Sequence, residues 1–296
     1  MDKKQEQTQS TFAYKWSKTT TYESNEIEKN SYEWELDRYF GSEKERTKFF
    51  LENKGKSFLD AGCGSGFSAK ILFNNELQNI KYTGVDISNA VWSVEDKLIP
   101  FSKKENLQFY QENIETMNLK EEFDVIFSEG VIHHTSNPFD TFKNLTKHLK
   151  TGGKMLFYVY SKKAPLREFT DDYIRNYIQD LSNDQSWEAL LPLSELGKTL
   201  GDLNISIDIK ENIDVLGIPK GTYNLQRLFY YYFAKAFYKE EYKIDEINHI
   251  NFDWYRPSNC YRYESKEIYQ WLDECNYKVE RFIKEDSGIT VVATKL

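Results

Sequence analysis

Short apolar runs separated by amphipathic stretches set the rhythm of residues 55–160. Ser57-Phe58-Leu59-Asp60-Ala61 is a compact run that stops at Gly62, the pattern of a strand entering a turn. A helix is expected from about Gly66 to Asn74. Lys81–Ile87 reads as a second strand, with Ser88 or Asn89 capping the helix after it. Leu107–Gln111 and Phe123–Ser128 read as a third and a fourth. Asn137 then Pro138 should open a helix, because Asn accepts from an orphan N–H and proline at the first helical position needs no acceptor. Gly152-Gly153 is expected to end that helix, and Met155–Tyr160 to form a fifth strand. Strands that alternate with helices imply a parallel sheet with helices on both faces.

The flanks behave differently. Residues 1–10 are polar and are expected to be loose. Phe12 to Glu52 reads as helical with aromatic punctuation at Phe12, Tyr14, Trp16, Tyr32, Trp34, Tyr39 and Phe40. Residues 161–262 read as helices and loops, with an aromatic run from Leu228 to Tyr238. At helical spacing Phe229, Phe233 and Phe237 would share one face. Ser265 can cap a helix running to about Cys275. Lys278–Lys284 and Ile289–Lys295 then flank Asp286-Ser287-Gly288 and should pair as an antiparallel hairpin. The expected fold is therefore α/β, Rossmann-like. It has a seven-stranded, mostly parallel sheet, an antiparallel C-terminal strand, helices on both faces and a helical insertion. Three parts follow: 1–54, a helical lid; 55–160 with 263–296, the sheet domain; and 161–262, the insertion.

Composition narrows the partners. The net charge of −8 gains nothing from releasing phosphate counterions, so nucleic acid is not an expected partner. Cys63, Cys260 and Cys275 have neither disulfide-framework nor zinc spacing. The opening MDKKQEQTQS has no apolar core of a signal peptide, and no run is long enough to span a membrane. A cytoplasmic location is expected.

The chemistry concentrates in Asp60-Ala61-Gly62-Cys63-Gly64-Ser65-Gly66. Glycines between a strand and a helix let the backbone approach a ligand at the carboxyl edge of the sheet. Their i, i+2, i+4 spacing differs from the dinucleotide GxGxxG pattern, which weighs against a nicotinamide oxidoreductase. Asp86, at the end of the second strand, can accept hydrogen bonds from ribose hydroxyls.

These segments, taken with Phe123-Asp124-Val125-Ile126, Gly130-Val131-Ile132-His133-His134-Thr135 and Leu149-Lys150-Thr151-Gly152-Gly153, resemble class I S-adenosylmethionine-dependent methyltransferases. The closest flavour is the ubiquinone- and menaquinone-biosynthesis-like group. The resemblance implies S-adenosylmethionine as cofactor. It implies that Asp60, Gly62, Cys63, Gly64 and Gly66 lie under the methionine part, that Asp86 binds the ribose and that Ile87 packs on the adenine. Asn113 and Ile114 would face the adenine, with Asn113 standing where the family usually has Asp. Ser128, Glu129 and Gly130 would lie beside the sulfonium.

The acceptor is less legible. His133 and His134 follow the fourth strand and could line the site, take a proton or simply fix the loop; Glu129 is a further catalytic candidate. The basic run Lys143, Lys147, Lys150, Lys154, Lys162, Lys163 and Arg167 could attract an anion or be a solvated helix end. No residues converge at metal spacing, so no metal is expected. A small-molecule acceptor covered by the insertion is the leading expectation. A protein that only holds S-adenosylmethionine and an RNA methyltransferase are the alternatives. A homodimer is the competing way to bury the aromatic run.

Overall fold

The computed structural model describes residues 2–296, so Met1 in the polar opening segment lies outside the described residues. The chain forms two compact units. The first comprises the chain through Ser17, Glu28–Ser161 and Asn259–Leu296; the second comprises Lys18–Ile27 and Lys162–Ser258. Most of the N-terminal 54 residues therefore belong to the sheet unit.

In chain order the elements begin with helices α1 (Lys3–Ser17), α2 (Asn25–Tyr39) and α3 (Glu43–Glu52). Strands β1 (Ser57–Ala61) and β2 (Lys81–Asp86), the short helix α4 (Val94–Leu98), β3 (Leu107–Gln111) and β4 (Phe123–Glu129) follow. Helix α5 (Pro138–Lys147) leads into β5 (Leu149–Tyr160). The second unit then holds α6 (Pro165–Ile178), α7 (Asn183–Asp202), a hairpin of β6 (Ser206–Ile209) and β7 (Gly221–Asn224), α8 (Leu225–Tyr232) and α9 (Ile244–Tyr255). The chain closes with α10 (Ser265–Glu274), β8 (Tyr277–Lys284) and β9 (Gly288–Lys295).

The main sheet has seven strands in the order β3-β2-β1-β4-β5-β9-β8. β1 to β5 are parallel, and β9 runs antiparallel to both β5 and β8. This is the Rossmann-like sheet expected from the alternation of elements. Parallel strands end on one side, so Ala61, Asp86, Gln111, Glu129 and Tyr160 mark a common carboxyl edge. Side chains alternate across the sheet. Phe58 and Phe127 join Phe50 and Phe73 in an aromatic layer with ring centroids 5.1–6.0 Å apart. Leu59 and Ile126 belong to a second cluster with Phe142, Leu145, Phe157, Trp271 and Leu272.

Several local readings are corrected. Residues 3–17 are a regular helix rather than a loose end, because Gln5, Thr8 and Thr11 are buried on one face through polar contacts. Gln5 Oε1 accepts from Asn259 Nδ2 at 2.8 Å and from Ser136 Oγ at 3.2 Å, and Thr8 Oγ1 accepts from the Asn259 amide at 3.1 Å. The helix after the glycine loop widens into a π turn over Ala69–Phe73 and tightens to 3-10 over Asn74–Asn79. Helix α5 stops at Lys147, and β5 already begins at Leu149. Gly152 and Gly153 lie inside that strand, at an irregularity where Phe123 pairs with Leu149 but Val125 pairs with Lys154. The N-cap of α10 is Glu264, in a capping box with Glu267, rather than Ser265.

In the second unit, α7 starts in a capping box between Ser182 and Gln185. Gly197 is required there: a Cβ would lie 2.8 Å from the carbonyl oxygens of Ala236 and Phe237. The β6–β7 hairpin departs from the expectation of helices and loops alone. Helix α8 ends at Tyr232, so Phe237 does not continue the helical face of Phe229 and Phe233, whose rings stack at 5.9 Å.

Candidate active site

The site is built where β1, β2 and β4 end. After β1 the chain turns sharply: the Gly62 and Cys63 amides both donate to the Val85 carbonyl, at 2.7 and 3.0 Å. Gly62, at φ +87°, is held because a Cβ would lie 2.3 Å from Val131. Gly64 has φ +53°, and a Cβ there would lie 2.6–2.8 Å from the Trp16 ring. Helix α1 thus rests on the glycine loop through Trp16, and Gln9 Nε2 donates to the Ile87 carbonyl at 2.7 Å. The Lys15 ammonium lies 4.0 Å from the Trp16 ring centroid.

Carboxylates gather around this loop. Asp60 is buried, with Oδ2 accepting from Tyr82 Oη at 2.7 Å. Burial pushes its carboxyl up to about 7; the Tyr82 bond opposes the shift, and the charges of Asp86 and Glu129 add to it. Asp86 is also buried and raised by burial, against the pull of its hydrogen bonds and of Lys15. Its Oδ2 accepts from the Gly64 amide at 2.8 Å. Its Oδ1 accepts from the Ser88 amide at 2.8 Å and from Ser88 Oγ at 2.6 Å. A carboxylate offers about four acceptor positions, so roughly one remains.

Helix α2 supplies the rest. Glu35 is buried, and its Oε1 accepts from Ser68 Oγ at 2.9 Å while Oε2 has no hydrogen-bond partner among the described residues. Burial raises its carboxyl well above the ordinary range, and Glu129 raises it further. Glu129, at the end of β4, is held by Arg38 Nη2 at 2.7 Å and by Tyr39 Oη at 2.5 Å. Arg38 is fully buried. Its guanidinium lies 3.6 Å from the Trp34 ring centroid and 4.3 Å from that of Tyr158, and it also donates to Thr290 Oγ1 at 2.9 Å.

Asp60, Gly62, Gly64, Asp86 and Glu129 are thus brought together, while other sequence candidates have internal duties. Cys63 is buried and its thiol is pushed up by burial. Ser128 Oγ donates to the Ala61 carbonyl at 2.8 Å, linking β4 to β1. Asn113 Oδ1 accepts from the Glu115 amide at 2.9 Å in a local turn, and Ile114 packs into the core. Gly66, at φ +76°, faces Val94.

His133 and His134 are buried in a tight turn over Ile132–His134. The His133 ring lies 3.8 Å from the Tyr160 ring centroid, and Phe12 meets His134 edge-on at 5.0 Å. The Asn259 carbonyl accepts from His134 Nδ1 at 2.6 Å, which places a proton on that nitrogen. The basic run is largely paired: Lys143 with Asp140, Lys150 with Asp124, Lys154 with Glu280 and Arg167 with Asp171.

A family model described as a methyltransferase domain matches residues 52–198. The chain belongs to the class I S-adenosylmethionine-dependent methyltransferases. Malonyl-[acyl-carrier protein] O-methyltransferase 2 of Ilyobacter polytropus is 34% identical over 159 residues, covering 52% of this chain and 57% of that protein. A tRNA U34 carboxymethyltransferase of Pseudoalteromonas translucida is 29% identical over 103 residues, 35% of this chain and 31% of the relative. The chain therefore spans little more than half of the first relative and about a third of the second. A solved S-adenosylmethionine-dependent methyltransferase from Aquifex aeolicus is 14% identical with a TM-score of 0.46, covering 92% of this chain and 99% of that one.

The residues present in this methyltransferase fit the family's cofactor. S-adenosylmethionine carries a sulfonium and an ammonium, and Glu35, Asp60 and Asp86 are buried carboxylates whose charged forms lack full compensation. Glu35, Arg38 and Tyr39 were not anticipated from sequence. The available signal was the acid, cation and aromatic spacing of Trp34, Glu35, Arg38 and Tyr39, which gives α2 no apolar stripe to follow.

Proposed function

We propose that this protein transfers a methyl group from S-adenosylmethionine to a small-molecule acceptor. The observation that carries the reading is the set of buried carboxylates on Glu35, Asp60 and Asp86 around the glycine loop. Buried carboxylates whose ionisation is opposed by burial favour a cationic ligand, because its charge offsets the cost of keeping them ionised. Bound S-adenosylmethionine supplies a methyl group already activated on positively charged sulfur. The protein's part is then to hold, orient and exclude water. Asp60, Gly62, Gly64 and Asp86 serve as the cradle, and Trp16 on α1 shields the loop from solvent. Arg38 and Tyr39 fix the Glu129 carboxylate in place, so Glu129 acts as a positioned charge at the end of β4. His133 and His134 line the same edge as packing groups.

A second reading takes RNA as the acceptor, since one relative carries the name of a tRNA carboxymethyltransferase. The net charge of −8 favours the small molecule. The test incubates the full chain with methyl-labelled S-adenosylmethionine and either a small-molecule extract or total RNA. Label in a low-mass product with release of S-adenosylhomocysteine supports the proposal. Label in RNA alone sinks it, and no release with any acceptor leaves the protein a cofactor binder.

A further inference from the structure

Asn259, where the chain returns to the first unit, is buried. Its polar groups join α1 to the turn after β4. Its Nδ2 donates to Gln5 Oε1 at 2.8 Å and its amide donates to Thr8 Oγ1 at 3.1 Å, both on α1. Its carbonyl accepts from His134 Nδ1 at 2.6 Å. Ser136 Oγ, two residues further on, donates to the same Gln5 oxygen at 3.2 Å. From these anchors α1 runs along the cofactor edge. Gln9 Nε2 donates to the Ile87 carbonyl at 2.7 Å, Phe12 meets His134 edge-on, and the Trp16 ring rests on Gly64.

This helix is not docked as a core helix is. Its buried residues are Gln5, Thr8 and Thr11, and Thr11 Oγ1 has no hydrogen-bond partner among the described residues. Such a face gains little on leaving water. Each hydrogen bond replaces one made to solvent, and a buried hydroxyl without a partner costs free energy. Elements held this way open locally, without unfolding of the whole chain.

We propose that Asn259 is the clasp of a lid: it holds α1 closed over the glycine loop, and its release admits and discharges the cofactor. The identity of that ligand rests on the methyl-transfer reading; the clasp itself does not. Asn259 acts through α1 and is a positioning residue. About 12 Å of helix separates Thr8, which it holds, from Trp16, which covers Gly64. The clasp therefore controls the loop from a distance, and its bond to His134 fixes the latch to the turn after β4.

The test uses the full chain, with amide hydrogen exchange of residues 3–17 as the ligand-free readout and S-adenosylhomocysteine as the probe. Thr8→Val leaves the Asn259 amide without its acceptor, and Thr8→Ser keeps it. In Thr8→Val the α1 amides should exchange about tenfold faster than in the wild type, while those of β1 and β4 are unchanged. S-adenosylhomocysteine should dissociate about tenfold faster from the same variant. Thr8→Ser should match the wild type on both counts. If Thr8→Val does not fold, Asn259→Ala, which removes the bond to Gln5, takes its place. Unchanged exchange of α1 in the variants overturns the proposal, as does faster exchange with an unchanged dissociation rate. No binding of S-adenosylhomocysteine to the wild type overturns the cofactor reading instead, and the exchange of α1 then decides the clasp.

Discussion

Asp60→Asn separates the cost of a buried charge from its use. The Asp60 carboxyl rises from the ordinary 3.8 to about 7, roughly three units. Each unit is worth about 1.4 kcal/mol, so keeping this group ionised above pH 7 costs the folded chain about 4 kcal/mol. The sign follows from proton counting. Between pH 4 and 7 the folded state holds a proton that the unfolded state has lost, so stability falls as pH rises through that window and levels off above it. From pH 5 to pH 8 the wild type should lose about 3 kcal/mol from this group, a Tm change on the order of 5–10 °C. Asparagine keeps the acceptor for Tyr82 Oη and cannot ionise. The variant should escape this loss while sharing the contribution of Glu35, which is raised in the same direction. The assay is thermal or urea denaturation of ligand-free wild type and variant from pH 5 to 8. Cofactor titration supplies the other half: affinity for the cationic ligand should rise with pH through about 7 in the wild type and rise less in the variant, which keeps only the Glu35 and Asp86 contributions. Parallel stability profiles for the two proteins would refute the reasoning.

Arg38→Met leaves the partly buried Glu129 without its cation and should cost about 3 kcal/mol in urea unfolding; a loss below about 1 kcal/mol would show that the pair is not held as described. Gly64→Ala should destabilise by about 1–2 kcal/mol from its positive φ and reduce cofactor affinity at least tenfold, measured by calorimetry, because its Cβ meets the Trp16 ring. Exhaustive chelation should leave methyl transfer unchanged, since no group of three metal-binding side chains converges among the described residues; restoration of a lost rate by one divalent ion would contradict this.

Strands were the legible part of this fold, and the reason is physical. β1 and β3 were read to the residue, and β2, β4, β8 and β9 to within one; for β1, β2 and β4 the reason is that buried parallel strands are apolar runs ended by glycine or acid. Helix α1 was misread because its buried face is Gln5, Thr8 and Thr11, which no search for apolar periodicity detects. The start of β5 was missed because a strand irregularity and a helix stop use the same Gly152-Gly153 signal. The glycine loop and Asp86 were visible in sequence because backbone geometry demands those residues there. The Glu35–Arg38–Tyr39 group on α2 was not visible, because a buried charge looks like a surface charge until its partners across 90 residues are in place.

Calorimetry of the full chain with S-adenosylmethionine and with NAD tests the central claim most directly. The account predicts saturable one-to-one binding of S-adenosylmethionine, strengthening from pH 6 to pH 8, and no binding of NAD. Saturable binding of NAD without binding of S-adenosylmethionine would contradict it.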